Sequence, residues 1–267
     1  MTAMTTAVHD SATMFRRNLL HIWRYPSMTV LLMGMPIFLL MLFVYVFGDT
    51  LGAGLPPGAV ADGLTGRGAY LAYLTPAIVI LAAASAAQGT AISVAMDMTE
   101  GIVARFRTMP ISPGSVLAGH VLGAVVQSYL AMGTALAVAV ALGYRPTTDP
   151  LAWLQVVVLL GLTAFGLTWL SVALGLVSDS VETASNLPMF LVFLPFLGSG
   201  FVPVESMPAG LSWFAEHQPF TPIMDAVRSL LDTGSVDSST LLLATAWTLV
   251  IAAGGYAWSR TLYRRER

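Results

Sequence analysis

Six apolar runs, at about 28–48, 70–96, 116–142, 151–177, 185–203 and 240–258, contain no Asp, Glu, Lys or Arg. A helix rising 1.5 Å per residue needs about 20 apolar residues to cross the hydrocarbon of a bilayer. Each run meets that length, and together they fill more than half the chain. A soluble surface would need roughly a quarter charged residues, whereas 10% of this chain is charged and 56% is hydrophobic. The expected fold is therefore an all-α integral membrane protein, with six transmembrane helices in a single domain over 1–267. The first run lies too far in, with the wrong flanks, to be a cleaved signal peptide, and is expected to remain as a span.

An even number of spans places both ends on one side. Arg16, Arg17, Arg24, Arg105, Arg107, Arg260, Arg264, Arg265 and Arg267 fall on that side, and only Arg67, Arg145 and Arg228 on the other. By the positive-inside rule the richer side faces the cytoplasm, giving a multi-pass protein of the cell membrane with both termini inside. Trp23, Tyr25, Trp153, Trp258 and Tyr263 fall near the expected interfaces, as an aromatic belt does.

Between the runs, three polar segments have distinct characters. Residues 10–26 place Ala12, Phe15, Leu19 and Ile22 on one helical face, with Arg16, Arg17 and Arg24 mostly on others. That pattern predicts an amphipathic helix lying on the inner membrane surface; a merely topogenic basic flank is the alternative. Residues 49–69 are rich in Gly and Pro and read as flexible external coil. In 204–239, two short helical patterns each follow a proline, too short to cross, and predict re-entrant or interfacial helices outside the bundle. Pro188, Pro195 and Gly198–Ser199–Gly200 are expected to kink or break the fifth run.

Several chemistries are disfavoured. All twelve basic residues are Arg, so the chain lacks the lysine that a P-loop needs to reach nucleotide phosphates. It has no cysteine, and its four histidines are scattered without ligand spacing, so no metal site is expected. A net charge of −2 without a basic, aromatic-interleaved patch gives no reason to expect a nucleic-acid partner. Carriers coupled to protons or sodium usually keep ionisable groups within their spans. Here only His120 lies in one, near a loop, where a loop hydrogen bond is expected. A solute carrier of this kind takes its energy from another protein.

Two stretches resemble a known family. TEGIVARFRTMPISPGSVLAGHVLGAV (99–125) is similar to the cytoplasmic segment of permease subunits in type-2 ABC exporters, where Glu-Gly leads a short helix and a Thr-x-Pro-[Ile/Val]-Ser turn follows. GFVPVESMPAGLSWFAEHQPFTPIMDAVRSLL is similar to their last external segment. The resemblance covers essentially the whole chain and is closest to daunorubicin-resistance-like multidrug export permeases. It implies a transport subunit, not an enzyme, without a cofactor of its own, working with two copies of an ABC ATPase that holds ATP and Mg. A second permease copy, or a paralogous permease, completes the transporter.

Carried over by position, the resemblance makes 97–115 the coupling segment between the second and third spans, a short cytoplasmic coupling helix with Asp97, Glu100, Gly101, Arg105, Phe106, Arg107, Met109 and Pro110 as the ATPase contact. Phe15, Arg16, Arg17, Trp23 and Arg24 would lie in the connecting helix. The physical reading is compatible: Pro110 fixes backbone angle, the charges pair across an interface, and Phe106 and Met109 offer apolar anchors. A solvated topogenic loop is the alternative. One departure is His120, where many members carry Lys. The spans imply hydrophobic or amphiphilic cargo in contact with membrane lipid, handled by Gln88, Thr90 and Ser93 on the second run and by Asn186, Phe190, Phe193 and Phe196 on the fifth. Ordinary helix packing is the competing reading for each. Two copies would face each other chiefly through those two runs. A permease for polysaccharide or lipid-linked glycan, and an intramembrane enzyme or assembly factor, remain as alternatives. The Arg-only basic set suggests a GC-rich bacterial genome.

Overall fold

The computed structural model describes residues 13, 15–16, 26–99 and 113–265. Among these residues the chain is helical and has no strand. The first run is α1 (Pro26–Leu42), a π-helical turn (Phe43–Phe47) and α2 (Gly48–Ala53). The second and third are α3 (Gly66–Thr99) and α4 (Pro113–Ala141), and the fourth is α5 (Pro150–Val177). The last is α10 (Ser238–Arg265). Five helices are long and apolar enough to cross a membrane: Leu32–Ala53, Gly66–Thr99, Gly119–Ala141, Pro150–Val177 and Ser238–Tyr263.

The fifth run is not one helix. It breaks into α6 (Val181–Asn186), α7 (Met189–Phe193) and a 3-10 turn (Leu194–Leu197). Breaks fall at Pro188 and Gly198, where the missing N–H of proline and the freedom of glycine interrupt the hydrogen-bond ladder. A 3-10 turn (Val204–Ser206), α8 (Ala209–His217) and α9 (Phe220–Thr233) follow. The i, i+4, i+7, i+8 pattern Ile223, Val227, Leu230 and Leu231 is completely buried, as its spacing predicts. Gly234 ends α9 in the left-handed conformation at φ +75°.

Two expectations need correction. The 49–69 stretch is not all coil: α2 carries the first helix to Ala53 and α3 begins at Gly66. Asp49 accepts from the Arg67 backbone N–H and guanidinium (3.1 and 3.0 Å), while that guanidinium lies 5.3 Å from the Tyr45 ring centroid. Leu55, Ala59 and Val60 pack on the core. Second, α3 runs through Asp97 to Thr99, so the connection between α3 and α4 is 100–112 rather than 97–115. The second run is the centre of the described helices. Nearly every side chain from Ala69 to Ala87 is buried, and α1, α2, α4, α5, α6, α7 and α9 all pack on α3. Its Ala82–Ala87 stretch, interrupted only by Ser85, lets neighbouring backbones approach closely, which is how helices associate where lipid is as apolar as their side chains.

Candidate functional site

The α9 helix carries an Asp and an Arg three residues apart beside its apolar face, and both reach inward. Arg228 is 8% exposed. Its Nη2 donates to the Ser199 carbonyl (2.7 Å), its Nε to the Tyr73 carbonyl (3.3 Å) and its Nη1 to Asp225 (2.7 Å). The guanidinium carbon stands 4.0 Å from the Tyr73 ring centroid, cation–π distance. Ser199 Oγ closes the ring by donating to Asp225 (2.6 Å). The Tyr70 hydroxyl donates to the Phe201 carbonyl (3.1 Å). The Gly198–Phe201 turn is thus fastened to α3 on one side and α9 on the other. Gly200 is obligatory there: a Cβ would strike the Ala77 methyl and come within 2.5 Å of the Met224 sulfur. The sequence signal for this network is slight, an Asp and an Arg at i, i+3 beside the apolar positions of α9.

A second polar contact ties the far end of α9 to the α4–α5 connection. The Tyr144 hydroxyl donates to Asp232 Oδ1 (2.6 Å), and the Thr147 N–H to the Leu231 carbonyl (2.6 Å). Asp232 Oδ2 is buried with no hydrogen-bond partner among the described residues. Burial raises the Asp232 carboxyl above its ordinary value, against the opposing pull of the Tyr144 hydroxyl and Arg228. Burial and the adjoining Asp232 push the Tyr144 phenol far upward as well. Between the ordinary carboxylate value and the raised one, the folded chain binds more protons than the unfolded chain. Stability therefore falls as pH climbs through that window and is not regained above it. Asp232→Asn keeps the Oδ1 acceptor without the charge, and is expected to raise Tm at neutral pH. The gain should vanish below about pH 4, the ordinary carboxylate value; thermal unfolding of the purified protein at both pH values checks it.

The residues expected along a cargo path do not gather in one pocket. Gln88 Nε2 donates to the Ser185 carbonyl (2.7 Å), joining α3 to α6. Thr90 is buried and bonds back to the Ala86 carbonyl (3.4 Å), while Ser93 is half-buried. Asn186 is exposed, and Phe190 and Phe193 point outward at 49% and 56% exposure. Phe196 turns inward and stacks on Phe201, with ring centroids 4.2 Å apart. Phe201 in turn meets the edge of Phe43 at 5.1 Å. What lies open on the broken segment is an apolar surface of Leu187, Met189, Phe190, Phe193 and Leu197.

Of the residues expected to meet an ATPase, Asp97 is described and faces inward: its Oδ2 is 3.0 Å from His120 Nε2, with both residues buried. His120 thus bonds within the helix bundle, and the second helix carries a buried carboxylate beyond the apolar run that the sequence marks. Glu100, Gly101, Arg105, Phe106, Arg107, Met109 and Pro110 lie outside the described residues, as do Arg17, Trp23 and Arg24. Thr13, Phe15 and Arg16 are helical, with Arg16 exposed and Phe15 half-buried.

The daunorubicin resistance ABC transporter permease protein DrrB1 of Streptomyces coeruleorubidus is 27% identical over 252 residues, covering 91% of this chain and 85% of that protein. The probable doxorubicin resistance ABC transporter permease protein DrrC of Mycobacterium tuberculosis, strains CDC 1551 / Oshkosh and ATCC 25618 / H37Rv, is 26% identical over 185 residues, 67% of this chain and 66% of that protein. The sequence profile of the ABC-2 type transporters matches residues 10–231, taking in the helices from α1 to α9 almost entirely. By that match the chain belongs to the ABC-2 type transporter family.

Proposed function

We propose that this permease exports a hydrophobic or amphiphilic small molecule of the drug or antibiotic class across the cell membrane. As a family member it is a transport subunit, and ATP hydrolysis belongs to a separate chain. The observation that carries the cargo reading is the similarity to permeases named for daunorubicin and doxorubicin resistance. The uncharged, partly aromatic surface of the broken segment supports it, because planar apolar cargo is held by aromatic and dispersion contacts. Those relatives favour drug cargo over a lipid-linked glycan.

In this reading the 181–203 segment makes the sixth crossing by way of its broken helices. Both termini lie in the cytoplasm, and 10–26 rests on the inner surface. Two permease copies pair through the exposed Phe190 and Phe193 side of the broken segment, since α3 is enclosed within each subunit. Two ATPase subunits carrying ATP and Mg dock on the 100–112 connection, through Glu100, Arg105, Phe106, Arg107 and Met109. Gly101 and Pro110 shape its backbone. Closure of the ATPases on ATP moves that connection and opens the path outward.

The experiment is reconstitution in proteoliposomes with the co-expressed ATPase subunit, following doxorubicin fluorescence. ATP-dependent movement of doxorubicin only when both chains are present is the expected result. Phe106→Glu should release the ATPase subunit on co-purification. Transport by the permease alone, or no doxorubicin movement by an assembled and ATP-hydrolysing complex, would refute the reading.

A further inference from the structure

The 100–112 connection leaves one helix and enters another, and among the described residues a buried pair of ionisable side chains joins the two roots. Asp97 lies within the last turn of α3, and His120 lies in the second turn or so of α4. Their facing atoms are 3.0 Å apart, and the residues are 7% and 6% exposed. Val94 and Val121 beside them belong to an apolar cluster with Trp169, Val172 and Leu176 of α5 and Tyr263 of α10. From α5 that cluster brings no titratable group; from α10 it brings the Tyr263 phenol, while Arg260 on the same helix is exposed.

A carboxylate in such surroundings is costly unless a hydrogen-bonded cation faces it. The pair also differs mechanically from the contacts around it. Apolar contacts are non-directional, whereas a charge-assisted hydrogen bond loses strength steeply with distance and angle. At this point α3 and α4 are held in one relative position.

We propose that Asp97 and His120 are positioning residues for transport, their ion pair locking the two roots of the 100–112 connection so that a push on it tilts α3 and α4 as one body. The proposal rests on the reading that the ATPase docks on that connection, and adds how the push is kept from being spent in sliding. A lysine in place of His120 keeps a cationic hydrogen-bond donor facing the carboxylate.

The test measures doxorubicin moved per ATP hydrolysed by the reconstituted permease–ATPase complex. His120→Gln, which keeps an amide donor without charge, should lower the ratio by roughly two- to thirty-fold, the range of coupling changes seen for residues off both sites. Asp97→Asn should do the same, and both variants should still bind the ATPase subunit. His120→Lys should keep the ratio. A His120→Gln complex with the wild-type ratio, or a lysine variant as impaired as the glutamine one, overturns the proposal. Loss of ATPase binding in His120→Gln overturns it too, in favour of a docking role. Failure of the docking reading is seen separately, as an ATPase subunit that stays bound to Phe106→Glu.

Discussion

Arg228→Ala is expected to leave little folded permease. The substitution removes three hydrogen-bond donors at once and strands the Ser199 and Tyr73 carbonyls, with Asp225 losing its cation. Breaking a buried pair from one side costs about 3–5 kcal/mol. Asp225 keeps 38% of its side chain exposed, so solvent takes up part of that loss and the lower end of the range applies. That is still a large share of the ~5–15 kcal/mol by which folded domains are stable. The pair also invites a comparison. Arg228→Met combined with Asp225→Leu removes both charges, and should be less damaging than Arg228→Met alone, because no uncompensated carboxylate remains. Thermal unfolding and yield of the purified protein measure both. An Arg228→Ala protein within about 0.5 kcal/mol of wild type, the range of an ordinary surface substitution, would show that the network is decorative.

Gly255→Leu should be equally severe for a steric reason. On α10, Gly255 lies against the backbone of α5: a Cβ there would stand 2.6 Å from the Leu170 nitrogen and 2.9 Å from the Trp169 carbonyl carbon. Gly166 of α5 makes the reciprocal approach: a Cβ there would stand 3.1 Å from the Thr248 oxygen and 3.2 Å from the Ala252 nitrogen. Two glycines facing opposite backbones set how near these helices come, and main chain cannot rotate aside as a flexible side chain can. Any side chain at 255 must push α10 away from α5 along the crossing, breaking dispersion contacts that no hydrophobic effect replaces in lipid. Overpacking of a core costs about 1–3 kcal/mol, occasionally more, and leucine at a backbone crossing belongs at the top of that range. A marked fall in Tm and loss of doxorubicin transport are expected, while Gly254→Leu, where no atom lies within 4 Å of a Cβ, should leave Tm nearly unchanged.

The lengths of the long helices were legible in the amino-acid sequence because crossing hydrocarbon imposes one requirement, a sufficient apolar run. Proline and glycine also marked the breaks at Pro188 and Gly198. Which side of each helix faces its neighbours was not legible. A helix that is apolar all round has no polar stripe to say which way it turns, so α3, enclosed on every side, read much like α10, which exposes Leu242, Leu249 and Val250. Only the abundance of alanine distinguished them. Asp97 was misplaced because a span was taken to stop at the first charge, whereas a paired carboxylate lets the helix continue. Arg228 was counted as an external charge; its inward turn depends on carbonyls of α3 and the 198–201 turn, distant in sequence and invisible to periodicity. The expected cargo residues were chosen by chemistry alone, and so mixed outward Phe190 and Phe193 with enclosed Thr90.

The length of α3 has a geometrical consequence. Its 34 residues span ~51 Å at 1.5 Å each, well beyond the ~30 Å of bilayer hydrocarbon, and both tips are gripped, one by the Asp49–Arg67 clasp and the other by His120. Such a rod acts as a rocker arm: turned by roughly 10° about its middle, it swings each tip by about 4 Å in opposite directions at that rise per residue. A small shove on one face of the membrane thereby arrives on the other as a displacement wide enough to admit a water molecule, without any helix having to bend.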